Sequence, residues 1–297
     1  MAKHKRWGKR KKDKRDWKSY NAKLIRRGEF YINPTFLETW LDEIKEMNSG
    51  KIGQPYLYPE SLIKFLSFLK CKGFSLRDLQ GAVSAFSKKL GPFPVISFSQ
   101  IRRRILSLEL SFGTKKSDLI VGCDGSGLKV SNRGDWIREK WKVKRGWIKV
   151  VIMGDTEGNI VDIRIGNEDL DERKSARGMI RKRAKNIKKV LLDGLHDVED
   201  TFNLCDQKKI DPGIKIRKNA CKDGLGPRPR EVRKYKKKGY KKWAKEKEYG
   251  MRWPSTEGIF SSVKVVFGEE ISSHKTRNMY HEAKLKFWAY QKLNEIA

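Results

Sequence analysis

Asp118-Leu-Ile-Val-Gly-Cys-Asp124-Gly-Ser-Gly127 is an apolar run of strand length that ends in a carboxylate and is followed by a glycine-rich turn signal. A second apolar run, Trp147 to Met153, ends at Gly154-Asp155. After the turn Glu157-Gly158-Asn159 comes a third, Ile160 to Ile165. Turns this short join antiparallel strands. Asp171 to Ile187 then has the spacing of an amphipathic helix, and Lys189-Val-Leu-Leu-Asp193 is another short strand ending in a carboxylate, with Gly194 behind it. A helix from about Asp197 to Gln207 and a fifth strand at Ile214-Lys-Ile216 complete the run.

Upstream the texture is helical. Phe36, Leu37, Trp40, Leu41 and Ile44 recur at helical spacing, and Leu62 to Leu69 form an apolar helix opened by Pro59. Gly73 ends it. Ser75-Leu-Arg-Asp78 is a capping-box start for the next helix, and Ser97 to Gln100 cap a third that carries Arg102, Arg103 and Arg104. Short helices, tight turns and a final arginine-bearing helix suit a helix-turn-helix DNA reader, and they equally suit a plain bundle with a basic edge.

The chain has 297 residues, with 68 Lys and Arg against 36 Asp and Glu, a net charge of +32. An excess that large, spread over the whole length, implies a polyanionic partner, with nucleic acid ahead of a membrane surface. The four cysteines are scattered and share no spacing with the four histidines, which argues against zinc and disulfide frameworks. No signal-peptide core and no apolar run of membrane-spanning length is present, so a cytoplasmic, nucleoid-associated setting without membrane contact is expected. Three parts follow. Residues 1–18 are a basic arm expected to be disordered, residues 19–112 a helical DNA-binding domain, and residues 113–297 an α/β domain with a Lys/Arg-rich insertion at about 218–247, read as loop-rich and partly helical.

Strands, hairpin and helices in this order give a ribonuclease-H-like fold: a mixed five-stranded sheet flanked by helices, beside the all-α helix-turn-helix-like N-terminal domain. In it the first and fourth strands are neighbours, so Asp124 and Asp193 approach each other. Clustered carboxylates repel and invite divalent cations with hard oxygen preferences. A third acid is sought on a helix that closes over the strand ends. Tyr249-Gly-Met-Arg252-Trp-Pro-Ser-Thr-Glu257-Gly-Ile-Phe-Ser-Ser-Val-Lys264 supplies it, with a helix start at Pro254 or Ser255 and Glu257 and Lys264 on one face. Among rival acids, Asp118, Asp155 and Asp197 read as strand starts, turns or caps, Asp197 as a helix cap. His196 reads as a surface residue or a supporting neighbour of the site. Trp253 is expected as a packed indole, with stacking on a displaced base as the rival.

Three stretches, Cys123 to Lys129, Leu191 to Asp197, and Tyr249-x-x-Arg252 with Glu257-(six residues)-Lys264, resemble the DDE transposases of insertion sequences that carry a Tyr-Arg-Glu-Lys signature. The resemblance implies Asp124, Asp193 and Glu257 as catalytic residues and as ligands of two Mg²⁺ ions, with Mn²⁺ an expected substitute. It implies DNA contacts by Lys264, Tyr249 and Arg252, added to those expected of Arg102, Arg103 and Arg104. The partners would be double-stranded terminal inverted repeats and target DNA, with a homodimer on DNA. One departure stands out: four residues separate Arg252 from Glu257, where the signature usually has three. A related ribonuclease-H-like nuclease and a non-catalytic DNA binder derived from a transposase are the alternatives.

Overall fold

The computed structural model describes residues 16–91, 93–114, 116–130 and 146–296. The basic arm, apart from its last residues, lies outside the described residues. Five helices come first: α1 (Trp17–Ile32), α2 (Trp40–Asn48), α3 (Glu60–Cys71), α4 (Leu76–Leu90) and α5 (Phe98–Ser107). The expected caps form. Ser75 accepts from the Asp78 amide while Asp78 accepts from the Ser75 amide, and Ser97 accepts from the Gln100 amide.

The sheet contains β1 (Leu119–Val130), β2 (Trp147–Asp155), β3 (Ile160–Gly166), β4 (Ile187–Leu192) and β5 (Asp211–Ile214) in the order β3-β2-β1-β4-β5. β1, β2 and β3 run antiparallel, whereas β4 is parallel to both β1 and β5. A two-residue sixth strand, β6 (Glu270–Ile271), pairs with the far end of β1. β1 is longer than expected. Gly125-Ser-Gly127 does not turn the chain, because it stays in register with Val151, Val150 and Lys149 of β2. Glycine there permits close approach: a Cβ at Gly127 would press on the Trp147 ring.

Helices cover both faces of the sheet. α6 (Glu172–Arg183), α7 (Glu199–Gln207) and α8 (Pro227–Glu246) enclose a core of Val121, Cys123, Val151, Met153, Met179, Phe202 and Val232. The opposite faces of the same strands, through Leu128, Val150 and Ile152, pack on α10 (Glu257–Phe267) and α11 (Thr276–Ile296), which follow a one-turn α9 (Arg252–Ser255). That second core continues without a break into the N-terminal helices. Phe68 of α3 lies 5.3 Å, ring to ring, from Trp288 of α11, so the helical region is bolted to the sheet through α11.

The Lys/Arg-rich stretch near residues 218–247 is mostly helix. α8 runs twenty residues, broken by Gly239 at φ +71. Its apolar stripe is sparse, which hid it: Pro229, Val232 and Trp243 are buried, and Tyr235 packs on Trp243 at 5.0 Å. Ion pairs Arg230–Asp206 and Lys234–Glu231 flank it. Among the described residues no helix is long and apolar enough to cross a membrane.

Candidate active site

Parallel pairing places the first two acids. β1 and β4 are in register at Val121 with Val190 and at Gly122 with Leu191, and β4 ends one residue later at Leu192. Two further steps set Asp124 abreast of Asp193 across an inter-strand gap of roughly 4.8 Å. Asp193 heads the short turn Gly194–His196, its carboxylate accepting from the Leu195 amide at 2.9 Å. Asp124 accepts from the Gly125 amide at 2.9 Å. β1 continues past the end of β4, and β6 takes over that edge only from Lys129. Between them the edge of β1 is a notch that both faces of the sheet can reach.

Two glycines bring the third acid in. Gly122 and Gly154 are cross-strand partners on β1 and β2. A Cβ on Gly154 would strike the Ser255 carbonyl, and one on Gly122 would strike the Ser255 hydroxyl. The sheet is therefore bare at this point and α9 lies flat on it. Arg252, the first residue of α9, bridges the acids, with Nη1 3.1 Å from Asp124 Oδ2 and Nη2 2.6 Å from Glu257 Oε1. The expected single helix from Pro254 is in fact two. Thr256, at φ −137 and ψ −74, breaks it, while the Ser255 and Thr256 hydroxyls donate to the Arg252 carbonyl at 2.9 Å. This break absorbs the extra residue between Arg252 and Glu257. Glu257 then opens α10, and Lys264 stands in its last turn with Nζ 3.9 Å from Glu269.

Other sequence-derived residues sort clearly. The Tyr249 hydroxyl donates to the Leu192 carbonyl at 3.1 Å, and its ring lies 5.1 Å from Trp243, so it braces the end of β4 beside Asp193. Burial pushes its phenol up to about 12. Trp253 is 59% exposed and is not the packed indole expected, because α9 turns it away from the sheet. Asp197 is no helix cap: it is buried, accepting from the Arg217 amide at 2.9 Å and from Arg228 Nε at 2.7 Å. Asp155 holds its turn by accepting from the Glu157 and Asn159 amides. On α5, Arg102 and Arg103 are exposed, while Arg104 stacks on Tyr56 at 4.7 Å.

Glu172 is the residue that sequence reasoning passed over, and His196, read as a surface residue or a supporting neighbour of the site, lies beside it. Glu172, in the first turn of α6, reaches β1 from the opposite face, and a Cβ on Gly125 would collide with its carboxylate. Lys149 Nζ stands 3.5 Å from it. His196 is fully buried rather than on the surface, with Nε2 3.9 Å from Glu172 and neither ring nitrogen hydrogen-bonded. Burial, with Asp193 adding to it, pushes the Asp124 carboxyl up, against the opposing pull of the Gly125 amide and Arg252. Burial and then Asp124 push Glu172 up as well. The signal available in the sequence was an acid capped by Asp171 at the start of a helix that follows β3.

The centre is thus a set of half-buried carboxylates, Asp124, Asp193 and Glu172, repelling one another, with Arg252 bridging Asp124 to the more exposed Glu257. Among the described residues no three His, Cys, Asp or Glu side chains converge closely enough to hold a metal ion as they stand. In chemistry the donor set fits a hard divalent cation: carboxylate oxygens on adjacent strands where β4 stops, with Arg252 where a cation's charge is needed.

Fold and site together define a ribonuclease-H-like domain with an acidic centre where its fourth strand ends beside the middle of its first. The chain belongs to a transposase family: a family model described as transposase DDE domain matches residues 115–291. A second model with the same description matches residues 25–133. Enzymes of this family are metal-dependent and act on DNA. No curated protein matches the chain. Among solved structures, a chain of the simian T-cell lymphotropic virus intasome in complex with PP2A regulatory subunit B56 gamma aligns at 10% identity. The alignment covers 70% of this chain and 72% of that one at a TM-score of 0.25, too slight a likeness to bear on function.

Proposed function

We propose that this chain is the transposase of an insertion sequence, which binds the element's terminal inverted repeats, cuts DNA there and joins the ends to target DNA. The observation that carries the reading is that Asp124 and Glu257 share one guanidinium, that of Arg252, while strand register sets Asp193 beside Asp124. Asp124, Asp193 and Glu257 would hold Mg²⁺, as two ions, or Mn²⁺ in its place. Bound there, such cations supply Lewis-acid activation of the attacking oxygen and charge stabilisation of the leaving one. In the displacement, a water or DNA 3′-hydroxyl oxygen forms a new bond to phosphorus as the opposite P–O bond breaks in line, and the departing oxygen takes up a proton.

The protein's own residues set the geometry. Asp124 is fixed within β1, and Asp193 follows directly on β4 and is held by its bond from the Leu195 amide. Arg252 exchanges its carboxylate partners for a phosphate oxygen when DNA arrives, which directs the scissile phosphate to the acids. Lys264, at the other end of α10, holds a backbone phosphate further along. Exposed Trp253 is free to stack on a base displaced beside the cut. Arg102 and Arg103 of α5 face solvent and read the element's end, whereas Arg104 chiefly packs. Residues 19–112 thus act as the DNA-recognition part and residues 113–297 as the catalytic part, with the basic arm and α8 adding phosphate contacts. Joining two ends calls for a homodimer on DNA.

The test is incubation of the protein and Mg²⁺ with a duplex carrying the inverted repeats that flank its coding region. Nicks at the repeat boundary support the reading. Cleavage of RNA–DNA hybrids but not of the repeats would assign a different nuclease, and binding without cleavage would assign a DNA-binding role alone.

A further inference from the structure

We propose that Glu172 is a fourth carboxylate of the acidic centre, sharing with Asp124 and Asp193 the divalent cation bound in the notch beside β1, and that buried His196 fixes it there. The inference rests on the proposed metal-dependent reading of the site.

The approach from two faces of the sheet is the first argument. Successive side chains on a strand alternate faces. Asp124 shares its face with Gly122, on which α9 lies, while Gly125 turns to the face covered by α6. Glu172 lies against Gly125, directly behind Asp124. In an unbroken sheet the two acids would be walled apart. Here β4 has already ended at Leu192, so the edge of β1 at Asp124 is open and both carboxylates border the same notch, with Asp193 at its floor.

The second argument is the partner that Glu172 lacks. His196 is fully buried, and both its ring nitrogens are without a hydrogen bond, an arrangement that is costly to leave uncompensated. Its Nε2 points at Glu172 Oε1 from 3.9 Å, just outside hydrogen-bond reach. A displacement of the carboxylate by roughly 1 Å toward the ring closes that bond. Carboxylates that hold a cation are themselves hydrogen-bonded from behind. Lys149, 3.5 Å away, is the only lysine or arginine within ion-pair reach of Glu172 among the described residues, and it is set against the two acids Asp124 and Asp193. A bare salt bridge to Lys149 accounts for neither the unpartnered imidazole nor the glycine that admits the carboxylate to the strand.

The experiment is Mn²⁺ titration of the full chain without DNA, followed by electron paramagnetic resonance, with thermal melting of each metal-free variant alongside. Glu172→Gln is expected to weaken Mn²⁺ binding about ten-fold or more, with the metal-free variant melting no lower than the wild type because a repelling charge has gone. His196→Leu, an apolar replacement at a buried site, is expected to weaken Mn²⁺ binding several-fold in the same sense. Wild-type Mn²⁺ affinity in Glu172→Gln, with affinity lost in Asp124→Asn, would overturn the assignment of Glu172 and leave the centre standing. A lower melting temperature for metal-free Glu172→Gln would also overturn it, showing a structural partner of Lys149. Wild-type affinity in both Glu172→Gln and Asp124→Asn would instead remove the metal-dependent reading on which the assignment rests.

Discussion

The Arg252 guanidinium stands 3.1 Å from the Asp124 carboxylate, and both groups are largely withdrawn from solvent. The contact joins residues 128 positions apart, linking the first acid to the segment around the last. With the Gly125 amide, it offsets the burial of Asp124. Arg252→Gln is therefore expected to lower metal-free stability by about 1–3 kcal/mol, read from the midpoint of urea unfolding. An unchanged midpoint would show that the contact contributes nothing.

Gly154 is expected to tolerate no side chain. A Cβ there meets the Ser255 backbone carbonyl and the tip of Ile259, so α9 must lift off the sheet and carry Arg252 with it. Gly154→Ala should cost about 1–3 kcal/mol and reduce cleavage while DNA affinity, measured by gel shift, persists. Gly178 makes the matched control: it lies within α6 with open space around it, and Gly178→Ala should be neutral or stabilise by about 0.5–1 kcal/mol.

Lys286 fastens the far end of the helix that carries Glu257 and Lys264. Buried in α11, its ammonium donates to the carbonyls of Phe267, Gly268 and Glu270 at 2.9, 3.0 and 2.6 Å. These are the C-terminal carbonyls of α10 and the turn beyond, where positive charge is favoured. Lys286→Met should destabilise by about 2–4 kcal/mol and raise amide exchange at the end of α10, measured by mass spectrometry. Exchange confined to wild-type rates would refute the role.

Glu282 gives the pH dependence. Burial raises its carboxyl, but hydrogen bonds from the Ser272 and Ser273 amides and from serine hydroxyls outweigh that and hold it below the ordinary 4.5. A depressed folded-state pKa means that the stabilisation is complete above about 4.5 and disappears as pH falls through the folded value. Glu282→Gln should thus be less stable than wild type by about 1–3 kcal/mol at pH 7, with the gap closing as the pH drops below 4.5. A gap that stays constant with pH would contradict this origin.

Much of this architecture was legible in the sequence. β2, β3 and β4 declare themselves by apolar runs between turn residues, and Asp193 marks the end of its strand because Gly194 follows. The capping box at Ser75 and the N-cap at Ser97 set two helix starts correctly. What escaped detection had physical reasons. Gly125-Ser-Gly127 looks like a turn from composition alone, yet pairing with β2 keeps it extended and its missing side chains make room for Glu172 and Trp147. Local pattern could not reveal that tertiary demand. α8 was obscured because its buried residues are few and its lysines many. The break at Thr256 follows from docking of Ser255 on Gly122 and Gly154, a contact between segments a hundred residues or more apart. Glu172 carries no signature of its own, and only the ending of β4 before β1 brings it to the acids.

The measurement closest to the central claim is Mg²⁺-dependent nicking of a terminal-repeat duplex by the wild type and by Asp124→Asn, Asp193→Asn and Glu257→Gln, with DNA binding followed in parallel. The expected result is that each variant binds the repeats and cuts them at about one hundredth of the wild-type rate or less. Cutting at the wild-type rate by any one of the three would contradict the assignment of that acid to the centre.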